Sequence, residues 1–282
     1  MNQKVVVTGA KGQLGSDLIQ CLTKYKIDCI GVSRQDFDLT DTEKMKKYLE
    51  SIKPTCVIHC AAYTAVDRAE QEPELCYAVN VETTKNIAKV CRTMNTSMVY
   101  LSTDYIFSGE GNRLYEITDP AEPVNIYGRT KLEGELVVRE WLKDYFIVRI
   151  AWSFGKNGNN FVKTMLRLAK DRQEVKVVDD QIGSPTYTKD LADLLCRMIQ
   201  TKKYGIYHAT NEGFCSWAEF AEEIFRLTKK EIKVCKISSK EYPSIAKRPF
   251  NTKLSKKSLD EAGFYRLPHW KDALERYLKE IE

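Results

Sequence analysis

The chain lacks any apolar run near the roughly eighteen residues that a membrane-spanning helix requires, so a transmembrane protein is not expected. Its first apolar strand starts almost at the N-terminus, which leaves no room for a signal peptide and points to the cytoplasm. Histidine is sparse. His59, His208 and His269 lie far apart, and no metal site is expected. No C-x-x-C pair occurs among the nine cysteines, Cys21, Cys29, Cys56, Cys60, Cys76, Cys91, Cys196, Cys215 and Cys235. Several sit in apolar runs such as "TCVIHCAA", where cysteine behaves as a small buried hydrophobe, and a chain of this length needs no disulfide staples. An excess of one charge is missing as well. The 44 basic residues are interleaved with 39 acidic ones, and a net +5 spread so evenly describes a solvated surface rather than a nucleic-acid stripe.

What is present is an ordinary globular composition, 43% hydrophobic and 29% charged, in 282 residues, enough for one large domain or two unequal lobes. "QKVVVTGAKGQLGSDLIQCL" reads as a buried strand, a glycine-rich turn and an amphipathic helix. "KIDCIGVSR" is a second strand, "TDTEKMKKYLESIK" a helix, "PTCVIHCAA" a third strand, and a long helix is expected near Glu74–Met94. The strand "SMVYLST", a loop to Pro123, a helix carrying Tyr127 and the strand "YFIVRIAW" follow. Apolar strands alternating with helices argue a doubly wound α/β domain whose parallel sheet is covered on both faces. After about Ser153 the alternation breaks down, and the polar tail, including "KRPFNTKLSKKSLDEAGF", reads as helical. We expect a dinucleotide-binding domain over 1–154, with 186–210 returning to it, and a smaller C-terminal substrate-binding lobe over 155–282. Without a low-complexity linker, the two should be intertwined.

Five stretches carry chemistry. Gly9, Gly12 and Gly15 form G-x-x-G-x-x-G between the first strand and its helix, where glycine lets a pyrophosphate approach free N–H groups at the helix start. Glycines also punctuate ordinary turns, but the strand–turn–helix setting favours a dinucleotide. The second strand ends in Ser33 and Arg34, with Asp36 and Asp38 just beyond. Arg34 suits the 2′-phosphate of NADPH, although a plain surface arginine is the alternative. In "CAAYTAV", Ala61 and Ala62 leave space for a ligand over the third strand end, or for tight helix–sheet packing. "LSTDY" ends the fourth strand in hydroxyls and an acid, which often serve only as a cap. Last comes Y-x-x-x-K, Tyr127 and Lys131, four apart on one helical face.

In that order, these motifs resemble the extended, nucleotide-sugar branch of the short-chain dehydrogenase/reductase superfamily. "GQLG", "AAYTAVDRAE", "STDYIFSGEG", "NIYGRTKLEGE", "GNNFVKTMLRLAK" and "DDQIGSPTYTKDLA" together are similar to its dTDP-4-dehydrorhamnose reductase family. The resemblance implies a Rossmann-type fold and reduction of a sugar C4 ketone with NADPH, NADH being the alternative. It implies that Tyr127 relays a proton, that Lys131 lowers the phenol's pKa and holds the nicotinamide ribose, and that Thr103 holds the carbonyl oxygen. By the same resemblance Gly12, Gln13, Leu14, Asp38, Leu39, Ala62, Tyr63 and Thr64 line the cofactor, beside Gly9, Gly15, Arg34 and Ala61. Thr103, Asp104, Tyr127 and Trp152 would meet the sugar nucleotide. Arg248, in "KRPFNTKLS", is the candidate for its pyrophosphate, or else a solvated arginine.

Three rivals stand beside this reading. Dehydratases of the superfamily follow the active-site threonine with Asp then Glu, and here the triplet is Thr103-Asp104-Tyr105, without the second acid. An epimerase is separated less cleanly. Relatives that regulate methionine adenosyltransferase keep the fold without catalysis, and Thr103, Tyr127 and Lys131 together argue against such a scaffold. The expected partner is a small nucleotide sugar, with neither nucleic acid nor membrane, in a chain that a homodimer would suit.

Overall fold

The computed structural model describes residues 3–282. The first half alternates as its sequence suggests: β1 (Lys4–Thr8), α1 (Gln13–Lys24), β2 (Asp28–Val32), α2 (Thr42–Ile52), β3 (Cys56–His59), two short helices, α3 (Val66–Ala69) and α4 (Pro73–Tyr77), then α5 (Thr83–Thr93), β4 (Ser97–Thr103), α6 (Ile126–Trp141) and β5 (Tyr145–Ile150). The five strands and a sixth, Gly205–His208, form one parallel sheet in the order β2, β1, β3, β4, β5, Gly205–His208.

Alternation along each strand explains why both faces are covered. Val5, Val7, Val99 and Leu101 point into a core shared with α1 and the helix Thr188–Met198. Val6, Met98 and Tyr100 point the other way, into a core with α2, α5 and α6. Successive side chains of a strand must do this, because its side-chain period is two. The chain winds outward from β1 to β2, then back past β1 to β3. Such a reversal opens a crevice beyond the carboxyl ends of β1 and β3, the usual place for a ligand of a doubly wound sheet.

Beyond β5 lies a second core, built on a parallel pair, Glu174–Val178 with Lys233–Ile237. Phe154, Phe220, Trp270 and Tyr277 fill it. Ser216 begins the helix Trp217–Leu227 with a capping box that Glu219 completes. Two details depart from the sequence reading. The long helix runs from Pro73 to Thr93 but widens into a π-helical segment over Ala78–Glu82. The tail is helical only from Lys257 onward. Before that it is extended, bridging Tyr115 through Leu254 and Ile182 through Asn251. Among the described residues, no helix is long and apolar enough to cross a membrane.

Candidate active site

The glycine turn is shaped for close approach. Gly9 has φ +66°, and a Cβ there would sit 2.8 Å from the Ala61 backbone nitrogen, so β1 and β3 converge only because Gly9 has no side chain. A Cβ on Gly15 would collide with the Gly9 carbonyl, so α1 packs directly onto the turn. The N-terminal amides of α1 are thereby left facing the crevice, which is the cradle a pyrophosphate needs. Leu14 is buried under the turn, while Gln13 is bonded through its Oε1 by Asn160 at 3.0 Å. Ala61, Ala62 and Tyr63 follow β3 on the opposite wall. Tyr63 is fixed from behind by Asn80, which accepts from its amide at 2.8 Å and donates to its carbonyl at 3.1 Å. Asn80 lies in the π-helical segment, a residue the sequence did not single out. Thr64 is exposed beside this wall.

At the far end of the crevice, β2 ends in Ser33. Asp36 is folded back there, accepting from the Ser33 amide and hydroxyl at 2.8 Å each. Its carboxylate is thus used as a turn cap. Arg34 is exposed at the same strand end. Asp38 accepts from the Thr40 amide, and Leu39 is buried beside them.

The catalytic candidates meet above β4 and β5. Asn125 caps α6, accepting from the Gly128 amide at 2.7 Å. Gly128 packs on the Tyr105 carbonyl with no room for a Cβ, and this brings Tyr127 against the end of β4. The rings of Tyr127 and Tyr105 meet edge to face at 5.8 Å. Thr103 is buried beside Tyr127 and donates to Asp104 Oδ1 at 2.9 Å. Burial pushes the Tyr127 phenol up, with the nearby Thr103 hydroxyl only partly opposing it. This is the reverse of the lowering that Lys131 was expected to impose, and it keeps the phenol protonated. Burial also raises the Asp104 carboxyl to about 7, its Oδ2 being buried without a protein partner.

Lys131 is buried one turn beyond Tyr127, and burial pulls its ammonium down to about 7, with Glu135 opposing. Glu135 is held by Arg149 of β5 through two bonds, 2.9 and 2.8 Å, and accepts from Ser102. Trp152 has φ +46°, a strained conformation for a bulky residue. One face stacks on Trp217 at 3.6 Å, and its ring edge lies over Gly183. Thr252 closes the group beside Asp104, its hydroxyl donating to the Ile182 carbonyl at 3.3 Å and packed near Gly183. It was missed although it lies in "KRPFNTKLS", where only the cation drew notice. Arg248 reaches the site's rim, but its Nη2 is paired with Asp67 at 2.8 Å. Its Nη1 is buried without a partner.

Two buried histidines give the site a pH signature. His208 presents Nδ1 to the Ser255 carbonyl at 3.1 Å and Nε2 to Arg149 at 3.3 Å, so its neutral form fits and a second proton would face a guanidinium. Burial lowers His208 and His59 to about 3 each. The unfolded chain takes up these protons near pH 6.5, and the folded one refuses them until about pH 3. Stability is therefore fully present above pH 6.5 and drains as pH falls toward 3. The urea midpoint should drop across that window, and drop less steeply in His208→Gln, which carries no titrating ring. Equal slopes in both proteins would contradict this.

A family profile described as the RmlD substrate binding domain matches residues 3–282. The dTDP-4-dehydrorhamnose reductase of Aggregatibacter actinomycetemcomitans is 38% identical over 96% of this chain and 97% of its own length. The chain belongs to the dTDP-4-dehydrorhamnose reductase family. It is likewise similar to the Bacillus subtilis spore coat polysaccharide biosynthesis protein SpsK, 39% identical over 98% of this chain and 97% of that protein. The crystal structure of the reductase of Bacillus anthracis str. Ames, in complex with NADP, superposes with a TM-score of 0.97 at 41% identity, covering 99% of this chain and all of the other. The family therefore accounts for the whole chain, both cores included.

Proposed function

We propose that the chain reduces the C4 ketone of dTDP-4-dehydro-L-rhamnose to give dTDP-L-rhamnose, using NADPH. One observation carries the reading. Thr103, Tyr127 and Lys131 gather at the strand ends beside the glycine cradle, and the second-acid position of the dehydratases holds Tyr105, packed edge-on against Tyr127. A site of this composition can donate a proton to an oxygen but lacks the second carboxylate with which the dehydratases take one from carbon. Family membership supplies the substrate class.

A bound reduced nicotinamide would supply the hydride. The chain supplies the rest. Gly9, Gly12, Gln13, Leu14 and Gly15 cradle the pyrophosphate, and Ala61, Ala62, Tyr63 and Thr64 wall the opposite side. Tyr127, kept protonated by its surroundings, holds the carbonyl oxygen and delivers the proton to it, and Thr103 holds the same oxygen once its hydroxyl turns from Asp104. The charge of Lys131 stabilises the phenolate left behind. Asp104 orients Thr103 and meets a sugar hydroxyl, and the free face of Trp152 packs on the hexose. Residues 1–154, with 186–210, hold the nucleotide cofactor. The lobe over 155–282 closes on the sugar nucleotide, with Arg248 turning its spare donor to the pyrophosphate. The test is to mix the protein with NADPH and dTDP-4-dehydrorhamnose, and separately with dTDP-glucose, and to analyse cofactor and sugars. Stoichiometric loss of NADPH with the first substrate supports the reading. A 4-keto-6-deoxy sugar formed from dTDP-glucose without NADPH use would replace it with dehydration.

Cofactor choice depends on Arg34. Because Asp36 is occupied by Ser33, Arg34 is the charged group free to pair with a 2′-phosphate. Arg34→Ala should weaken NADPH binding about tenfold or more, the usual size of one charge-assisted bond, and leave NADH nearly unchanged. Titration of nucleotide fluorescence measures both. Equal losses would return Arg34 to the surface.

A further inference from the structure

Lys131 presents a physical problem. It is an ammonium 3% exposed, and the one carboxylate in its reach among the described residues, Glu135, is already committed to Arg149. A buried charge without a dedicated partner loses its proton readily. Beneath Lys131 lies the ring of Tyr100, whose centroid is 4.0 Å from Nζ. The Tyr100 hydroxyl donates to the Lys131 carbonyl at 3.2 Å, so one residue touches both the head and the backbone of the lysine. The arrangement depends on Gly134, where a Cβ would strike the Tyr100 hydroxyl, and His59 stacks beside the ring at 6.2 Å. Burial holds the Tyr100 phenol far above its ordinary pKa, so the ring remains neutral.

We propose that Tyr100 is a positioning residue for Lys131, its π face seating the ammonium and keeping it charged in the buried site. This deepens the reductase reading and rests on it for its importance to turnover. The negative face of the ring supplies the attraction that a second carboxylate would otherwise provide, without adding a base to the site. The other groups facing Lys131 do not take this part. Tyr127 lies one turn before it, with its phenol pushed up. Cys60 at the end of β3 is pushed to about 12, and burial raises Cys76 on α4. His59 stays neutral down to about pH 3.

The experiment places phenylalanine, 3,4,5-trifluorophenylalanine or leucine at position 100. Trace acetylation of Lys131 by acetic anhydride is then followed against pH by peptide mass spectrometry, with the alkaline limb of kcat/KM recorded alongside. Tyr100→Phe keeps the ring face and should leave the Lys131 midpoint near that of the parent. The fluorinated ring has nearly the same shape but a depleted face, and should lower the midpoint by about one pH unit, as should Tyr100→Leu. An unshifted midpoint with the fluorinated ring would overturn the proposal, and it decides the matter even if the leucine variant does not fold. Acetylation needs no turnover, so a protein that reduces no sugar would defeat the functional reading while still testing this one.

Discussion

Tyr127→Phe should fold, bind NADPH and turn over roughly 10²–10⁴-fold more slowly than the parent, the usual cost of losing a general acid. The ring's edge-to-face contact with Tyr105 survives the change. Thr103 keeps its bond to Asp104, so no buried donor is orphaned. Only the proton-bearing oxygen is removed. Because burial pushes this phenol up rather than down, the acid form persists through neutral and mildly alkaline pH. Any alkaline loss of activity in the parent should therefore begin with Lys131 and Asp104, the two groups of the site brought to about 7. Single-turnover oxidation of NADPH, with thermal melts as a control on folding, measures the effect. A rate within a few-fold of the parent would remove Tyr127 from the mechanism.

The largest stability effect should come from Glu135→Leu. Glu135 and Arg149 are both almost fully buried and joined by two bonds, with Ser102 and His208 completing the network. Removing the carboxylate leaves the guanidinium buried beside the Phe107 ring without its counter-charge. Breaking one side of such a pair costs about 3–5 kcal/mol. Changing both partners, Glu135→Leu with Arg149→Met, should recover most of that loss, because no charge is then stranded. Urea unfolding of the two single variants and the double variant gives the coupling directly. If the double variant is as unstable as the sum of the singles, the pair is not the source.

The legible parts of this molecule are those written in local pattern. Apolar runs between helices identified the parallel sheet, the triplet of Gly9, Gly12 and Gly15 marked the crevice, and the four-residue spacing put Tyr127 and Lys131 on one face of α6. Thr252 and Arg149 could not be found this way. The acids beside them, Asp104 and Glu135, stand on other elements, and nothing in the neighbouring residues records that meeting. Asn80 was hidden for a related reason, since a polar residue inside an amphipathic helix looks like its solvent face until the helix widens and turns it inward. The extended run before Lys257 was misread because its backbone bonds go to distant bridges, at Tyr115 and Ile182, so its polar composition carried no strand pattern. The direction of the Tyr127 shift was misjudged because charge was weighed there without burial.

The sixth strand of the sheet, Gly205–His208, is laid beside β5 only after more than fifty intervening residues have been made. A growing chain therefore carries β5 as an open edge, with Phe146, Ile147 and Val148 already in strand order and one row of amides and carbonyls unpaired. During synthesis the half that carries the sheet can assemble early but cannot seal itself. Its last seam waits for the ribosome to release a segment from beyond the start of the second core. Folding is thus ordered by topology, since closure of this long loop must precede the final pairing. A nascent chain stopped before Gly205 would leave that edge of β5 open to pairing with another exposed strand.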